Sequence, residues 1–314
     1  MIVESERVVS VVTPLFNSAS HIDATLASLQ AQTFRDWESI LVDDGSTDET
    51  PQRVARYLED QRFRYVRQPN QGIAAARNTG IRSTRGTWIA LLDHDDRWMP
   101  TKLERQLSVV QSTACDIVCS NAVVSRGPER FLFRDWIAPD LRSQVENCVR
   151  EDIDTFALLI RVNFLCTSSV LVRRSLFETH GLLDTHATPA DDYDMWLRCM
   201  PSAKICYITD PLVEYVLHET NYSRDSVLLR EKAIYVLFKA RRMWSADATR
   251  ASQCEESLRM HYRLLFEELR KRRQHRSVVR HAVSLAGKGR VGLRVLLPTM
   301  RSTIMHPTGT TALR

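Results

Sequence analysis

The segment Trp88–Pro100 reads Trp-Ile-Ala-Leu-Leu-Asp-His-Asp-Asp-Arg-Trp-Met-Pro, a short apolar strand that runs directly into Asp93, Asp95 and Asp96. The apolar run needs a buried sheet around it, and the acidic knot needs an open end of that sheet. Three carboxylates within four residues repel one another unless a cation neutralises them. Asp93 and Asp95 lie two apart, so on an extended backbone they point the same way. Two hard oxygen ligands on one side suit Mg²⁺ or Mn²⁺, with phosphate oxygens completing the shell. The competing reading is a solvated acidic turn that caps the next helix.

The flanking sequence repeats the same punctuation. Arg7–Leu15 holds Val-Val-Ser-Val-Val-Thr-Pro, a β-branched run stopped by Pro14, with Asn17 or Ser20 placed to cap a helix that carries Ile22, Leu26 and Leu29. Trp37–Val42 is a second apolar strand that ends in Asp43-Asp44-Gly45-Ser46, and Thr47 or Asp48 is placed to cap a helix through Leu58. Arg64–Arg67 reads as a third strand, Gly72–Ile81 as an alanine-rich helix, Thr87–Leu92 as the fourth strand and Asp116–Val124 as the fifth. Pro100 opens a helix with Leu103, Leu107 and Val110 at helical spacing. Strands alternating with helices at this pitch predict an α/β fold with a mostly parallel sheet and right-handed crossovers. In such sheets ligands sit beyond the carboxyl ends of the strands. Pro14–Asn17, Asp43–Asp44 and Asp93–Asp96 all fall at those ends, which points to a single site.

Beyond Arg126 the pattern loosens. Phe131, Phe133 and Trp136 stand in a polar, weakly periodic stretch reaching about Asp152. A helix over Asp154–Val162, a strand over Ser168–Val172, a helix opening at Asp191-Asp192-Tyr193-Asp194-Met195-Trp196-Leu197 and a strand over Tyr207–Val216 follow, leading to His218. Acidic residues suit the first turn of the third of these elements because the helix dipole favours them there. From Asp225 onward the chain reads as helices.

Charge divides the chain at the same place. The net charge of +5 over 314 residues conceals 24 basic and 32 acidic side chains in residues 1–225 against 19 basic and 6 acidic in 226–314. That break predicts a catalytic body, 1–224, followed by a basic helical extension, 225–314, with a partner of its own. Hydrophobic and charged fractions of 44% and 26% are those of a globular protein. The sequence has no apolar run of 18 residues, and Met1–Arg7 is polar and acidic, so neither a transmembrane helix nor a signal peptide is expected. Seven cysteines without a Cys-x-x-Cys pair are expected to be buried reduced thiols rather than zinc ligands or a disulfide framework.

Taken in order, Thr13-Pro14-Leu15-Phe16-Asn17, Val42-Asp43-Asp44-Gly45-Ser46-Thr47-Asp48, Asn70-Gln71-Gly72 through Ala76-Arg77-Asn78-Thr79-Gly80, Leu92-Asp93-His94-Asp95-Asp96, Asp191–Leu197 and His218–Ser223 resemble a family-2 glycosyltransferase with the GT-A fold. The resemblance covers residues 8 to about 223. It implies a Rossmann-like central sheet flanked by helices, with a nucleotide-sugar-binding half over 7–125 and an acceptor-binding half over 126–224. It also implies a metal-dependent, inverting transfer of a hexosyl or related group from a nucleotide diphosphate sugar, UDP- or dTDP-linked, to an acceptor hydroxyl. The setting implied is synthesis of a cell-surface polysaccharide or glycolipid.

Residue roles follow from the resemblance together with the chemistry. Asp44 can accept a hydrogen bond from the ring N–H of uracil or thymine, while Asp43 either shares that task or supports its loop through backbone N–H groups. Pro14 and Asn17 shape the first loop beside the base. Arg77 can reach the diphosphate or ribose, or it can pair with the acidic knot. Asp95 is the direct ligand to Mg²⁺ or Mn²⁺, Asp93 faces ribose and metal, and His218 matches a histidine that adds a ligand in this fold. Asp96 holds the loop or caps the helix. Asp192 is the base that takes the acceptor proton, with Asp191 as the other candidate, because the family's usual Glu-Asp pair is here Asp-Asp. Trp196 and Leu197 pack that helix.

Competing classes leave marks that can be checked in the sequence. A nucleotidyltransferase needs a glycine-rich basic loop after the first strand, where this chain has Thr13–Asn17. A response-regulator receiver needs a lysine at a later strand end, and the only lysine before residue 204 is Lys102, within a helix. A degenerate nucleotide-sugar-binding module would be expected to have lost some of the carboxylates that are all present here. The expected partners are therefore a nucleotide-sugar donor, a glycan or lipid-linked glycan acceptor and, through the basic extension, an anionic membrane surface at the cytoplasmic face. Nucleic acid is not expected, since no aromatic–basic platform accompanies the tail.

Overall fold

The computed structural model describes residues 8–147, 153–219, 221, 225–288 and 291–298. The acidic start (1–7), the 148–152 portion of the irregular stretch, Ser223 of the His218 motif, and Arg290 and 299–314 of the basic extension lie outside the described residues. The chain forms two compact units.

The first unit gathers residues up to Thr155 with Asn163–Thr185 and Cys199–Glu219. Its strands are β1 (Val9–Leu15), β2 (Trp37–Asp43), β3 (Phe63–Arg67), β4 (Trp88–Leu91), β5 (Arg97–Trp98), β6 (Ile117–Arg126), β7 (Glu129–Leu132), β8 (Leu171–Arg173) and β9 (Ile205–Val216). They make one mixed sheet in the order β3-β2-β1-β4-β8-β6-β9-β5, with β7 on β6. The first four strands in that order run parallel, as do β6 and β9, whereas β8 is antiparallel to both of its neighbours. Every residue of β1 and β2 is buried, which is why these strands read as continuous apolar runs rather than alternating ones. Helices α1 (Ile22–Gln30), α2 (Thr50–Ala55), α3 (Ile73–Arg82), α4 (Lys102–Ser112), α5 (Pro139–Asn147) and α7 (Arg174–His180) accompany the sheet. A core of Val11, Leu26, Leu29, Trp37, Leu41 and Leu103 joins α1 and α4 to the strands, each large side chain contributing about 1.5–3 kcal/mol. Gly80 lets α3 lie close on β1, since a Cβ there would meet Cγ1 of Val12 at 2.3 Å.

The register carries the site. Leu15 pairs with Asp43 and Val12 with Leu91, so the chain leaves β1, β2 and β4 at one edge of the parallel sheet.

Several local expectations are corrected. Helix α1 begins at Ile22 with neither Asn17 nor Ser20 capping it, and α2 stops at Ala55 instead of Leu58. Asn17 is committed elsewhere, accepting from the Thr47 N–H at 2.9 Å. Asp48 ties two loops by accepting from the Thr50 N–H at 2.9 Å and the Ala19 N–H at 3.0 Å. Strands β5 and β7 were not legible, one being two residues long and the other half polar. Cys115 and Cys206 are set side by side, with Cα atoms 6.0 Å apart, by β6–β9 pairing across 91 residues. Cys119, Cys166, Cys199 and Cys254 are buried.

The second unit gathers Phe156–Val162, His186–Arg198 and Thr220–Arg314. It holds most of α6 (Thr155–Leu159) and α8 (Asp191–Cys199), followed by α9 (Ser226–Met243), α10 (Ala248–Lys271), α11 (His275–Ala286) and a helical stretch over 291–298. Asp225 caps α9 by accepting from the N–H groups of Val227 and Leu228, and Asp247 caps α10 by accepting from Arg250. The sequence places 156–162 and 186–198 with the body that ends at 224; in the fold they pack with these helices. The reason is a set of specific ties: Ser257 donates to the Ile160 carbonyl at 2.6 Å and Lys239 pairs with Asp194 at 2.6 Å. Among the described residues no helix is long and apolar enough to cross a membrane.

Candidate active site

Two loops meet at the ends of β1 and β2. Asp43 is fully buried, and its carboxylate accepts from the Ser46 N–H at 2.7 Å and from the Tyr65 hydroxyl. Asp44 accepts from the Gln71 N–H at 2.9 Å, the Gly72 N–H at 2.8 Å and the Gln68 side-chain amide at 2.7 Å. Both carboxylates therefore hold backbone in place, Asp43 its own turn and Asp44 the strand–helix connection 68–72. Gly45 and Gly72, at φ 80° and 88°, supply the left-handed backbone these turns require. Asn17, also left-handed at φ 49°, bridges the first loop to the second, its N–H donating to Ser46 Oγ at 3.0 Å. Burial, then the Asp43 contact, pushes the Tyr65 hydroxyl well above the ordinary tyrosine value.

Helix α3 delivers Arg77 to the end of β4. The guanidinium is buried and lies 2.7 Å from Asp93. Of the alternatives open for Arg77, the structure shows the pairing with the acidic knot. Asn78, one residue on, exchanges two hydrogen bonds with the Leu183 backbone, at 2.8 and 2.9 Å, and so fixes the helix.

The three carboxylates of the knot separate by environment. Asp96 is 1% exposed, accepts from Ser168 Oγ and from the Val216 N–H at 3.0 Å, and so ties the knot to β9. Burial, with the charges of Asp95 and Asp93 beside it, pushes its carboxyl well above the usual range. Asp95 lies 2.8 Å from Nε2 of His218, two residues beyond β9. Burial would raise Asp95, but the His218 hydrogen bond and the nearby histidine charges outweigh it and lower the carboxyl. The His218 ring stacks on His21 at 4.6 Å and 15°. Burial, then His218, lowers the His21 imidazole below its ordinary value.

The Asp95 oxygen and the His218 nitrogen share a proton across 2.8 Å; with that proton displaced, the carboxylate and imidazole are donors that would be available to a divalent cation such as Mg²⁺ or Mn²⁺. Among the described residues no group of three His, Cys, Asp or Glu forms a protein-only cage. The shell would therefore be completed by substrate oxygens and water, as Mg²⁺ sites commonly are.

The proposed bases lie in the second unit. Asp191 and Asp192 open α8 and are 1% and 9% exposed. Asp192 accepts from the Tyr193 N–H at 2.6 Å. Asp194 is occupied by Arg198 at 2.8 Å and Lys239 at 2.6 Å, and Trp196 and Leu197 are buried as expected.

Ser168, His21, Tyr65 and Gln68 also take part and were not read from the sequence. None carries a local motif. Each acts through a contact spanning 22 or more residues, such as Ser168 Oγ, which also accepts from the Asp93 N–H at 3.1 Å.

A glycosyltransferase-type site is what this edge suggests: parallel strands ending in carboxylates, a buried arginine and a hydrogen-bonded Asp–His pair. The comparisons agree. Residues 10–181 match the model of glycosyl transferase family 2, and the chain belongs to that family. An uncharacterized glycosyltransferase of Rickettsia typhi is 28% identical over 67% of this chain and 64% of its own length. The putative glycosyltransferase EpsH of Bacillus subtilis is 30% identical over 67% and 61%. The putative teichuronic acid biosynthesis glycosyltransferase TuaG of Bacillus subtilis is 39% identical over 34% and 43%. The match thus spans less than two thirds of these relatives' lengths. Among solved structures, S. aureus TarS 1–349 in complex with UDP-GlcNAc superposes with a TM-score of 0.62 at 18% identity, covering 81% of this chain and 71% of that one. The mannosyltransferase PcManGT from Pyrobaculum calidifontis, in complex with GDP-Man and Mn²⁺, gives 0.59 at 18%, covering 98% and 89%. These likenesses establish the GT-A fold.

Proposed function

We propose that this chain is an inverting, divalent-cation-dependent glycosyltransferase that moves a sugar from a UDP- or dTDP-sugar to an acceptor hydroxyl during synthesis of an envelope polysaccharide or glycolipid. The Asp95–His218 pair at the strand-end edge, beside the buried Arg77–Asp93 pair, carries the reading. Pro14, Asn17, Asp43 and Asp44 shape the pocket for the base. Arg77, held against Asp93, sets the carboxylate that orients the ribose and adds positive charge on the diphosphate side. Asp95 and His218 would hold Mg²⁺ or Mn²⁺, which supplies the charge neutralisation a departing diphosphate needs. Asp192 accepts the acceptor's proton as its hydroxyl attacks from the face opposite the diphosphate, and Asp191 supports the start of the helix. The UDP-GlcNAc bound by TarS supports a uridine donor, and the teichuronic acid relative supports an envelope product.

The basic extension makes a peripheral contact with an anionic membrane at the cytoplasmic face. From Leu269 to the last residue there is no Asp or Glu, against eleven Lys or Arg. Val279, Val283, Leu293 and Leu297 are exposed within it. That combination supports an interfacial surface with its apolar side chains inserted.

The test is donor hydrolysis by the purified chain over UDP-, dTDP- and GDP-sugars, with and without Mn²⁺. Metal-dependent release of UDP or dTDP is the expected result. Binding of donor without turnover would make the chain a nucleotide-sugar-binding module instead.

A further inference from the structure

Four aromatic rings meet where β6, β7 and β9 run side by side. Phe131 on β7 and Tyr215 on β9 both pair with Val124 of β6, so all three share one row and one face of the sheet. A 3₁₀ turn, Phe133–Trp136, folds back over that row. Trp136 then contacts Phe131 at 5.4 Å, Phe133 at 5.3 Å and Tyr215 at 6.3 Å, all edge to face. Phe133 and Tyr215 pack on the main core. Three contacts therefore fix the indole, yet Trp136 remains 40% exposed.

The cluster has a charged rim. Asp135 pairs with Arg142 at 3.3 Å on one flank, and Arg130 lies 3.6 Å from Glu214 on another. Its position is also informative. Tyr215 immediately precedes Val216, whose N–H holds Asp96, and stands three residues before His218. The row of rings therefore crosses β9 just before the chain leaves that strand for His218, one of the proposed metal ligands.

We propose that Trp136, framed by Phe131, Phe133 and Tyr215, is the stacking platform for a pyranose ring of the acceptor glycan. A pyranose presents a face of polarised C–H bonds and a perimeter of hydroxyls. The negative π-face of an indole attracts the first, and paired carboxylates and guanidinium groups can accept from and donate to the second. Because the indole is already fixed, little rotamer freedom is lost on binding. A bilayer would strip water from both ion pairs of the rim, a desolvation cost that disfavours a lipid occupant. The inference rests on the glycosyltransferase reading and adds the chemistry of the acceptor side.

The full chain, labelled with ¹⁵N at its six tryptophans, tests it by NMR. The Trp136 indole signal is assigned by its loss in Trp136→Phe. The probes are methyl glucoside, methyl N-acetylglucosaminide, cellobiose, maltose and chitobiose at millimolar concentration, with UDP and GDP in separate samples. At least one pyranose probe is expected to shift the Trp136 signal selectively. Trp136→Leu, which keeps an apolar side chain but no ring, is expected to weaken that probe's binding about tenfold, the scale of one stacked aromatic pair. Trp136→Phe should recover part of the loss, and nucleotide binding should be the same in all three proteins. Nucleotide binding with no pyranose response at Trp136, or pyranose binding unchanged in Trp136→Leu, overturns the platform and leaves the functional reading standing. Absence of both nucleotide and pyranose binding overturns the two together.

Discussion

At the strand ends of the first unit Asp43, Asp44, Arg77 and Asp96 are at most 5% exposed, and each is held by named partners. In the second unit, from α11 onward, Arg276, Arg280 and Lys288 are exposed and alternate with exposed Val279 and Val283. The same residue classes do opposite work. A buried charge is costly without a partner, so it fixes geometry. An exposed charge is screened and loosely held, so it contributes through number rather than position. Under the proposed function, a site for a diphosphate calls for the first arrangement, and a surface for a fluid bilayer calls for the second.

The comparison breaks most visibly at Asp95. Asp95→Ala removes the carboxylate that faces His218, and transfer should fall about 1,000-fold or more, the effect of losing several kcal/mol of leaving-group stabilisation. Mn²⁺ affinity, measured by titration, should fall with it while the melting temperature holds. Undiminished turnover in EDTA would remove the metal assignment. Asp192→Asn should cost transfer at least ~100-fold, the scale of general-base removal, with donor affinity unchanged. Should Asp191→Asn alone show the loss, the base is Asp191.

The exposed region predicts smaller, additive effects. Arg276→Gln with Arg280→Gln should weaken binding to phosphatidylglycerol vesicles about 30-fold, at roughly 1 kcal/mol for each charge. High salt should mimic the change, and donor hydrolysis should not alter. These substitutions are cleaner than deleting 270–314, because Leu285 and Val295 are buried and His281 lies 2.8 Å from Glu231. Vesicle binding indifferent to salt would assign the tail to another partner.

Lys102 sharpens the contrast from the buried side. It is fully buried, donates to Gln106 at 2.7 Å and lies over the Trp98 ring at 3.9 Å. Burial drives its ammonium well below the ordinary value of 10.5. Between the lowered folded value and 10.5 the unfolded chain holds a proton that the folded chain lacks. Stability therefore rises with pH across that window, by at most about 1.4 kcal/mol per pH unit. Lys102→Met should abolish that part of the slope in denaturant unfolding measured from pH 7 to 10. An unchanged slope would show that the amine is charged in the folded protein.

Much of the fold was legible because parallel strands, buried on both faces, leave continuous apolar runs in the sequence, and β1, β2 and β4 were read within a few residues of their bounds. Of the antiparallel strands, β8 was read as Ser168–Val172 but begins at Leu171, and β5 and β7 were not read, since β5 has two residues and β7 is held by a hairpin on β6. The clustering of Pro14–Asn17, Asp43–Asp44 and Asp93–Asp96 at strand ends was also legible, because parallel register sends all such ends to one edge.

By itself the sequence determined the types and order of chemical groups: which carboxylates end which strand, and where the chain turns from acidic to basic. Only the tertiary structure decided how those groups divide their tasks. Asp96 is bound by Ser168 and the Val216 backbone, Asp95 meets His218, Asp93 meets Arg77, and three rings lock Trp136. The physical reason is range. Hydrophobic period and turn chemistry act over a few residues, whereas the carboxylate contacts cross from 16 to 123 residues of chain, and those that cross strands exist only once the sheet has set its register.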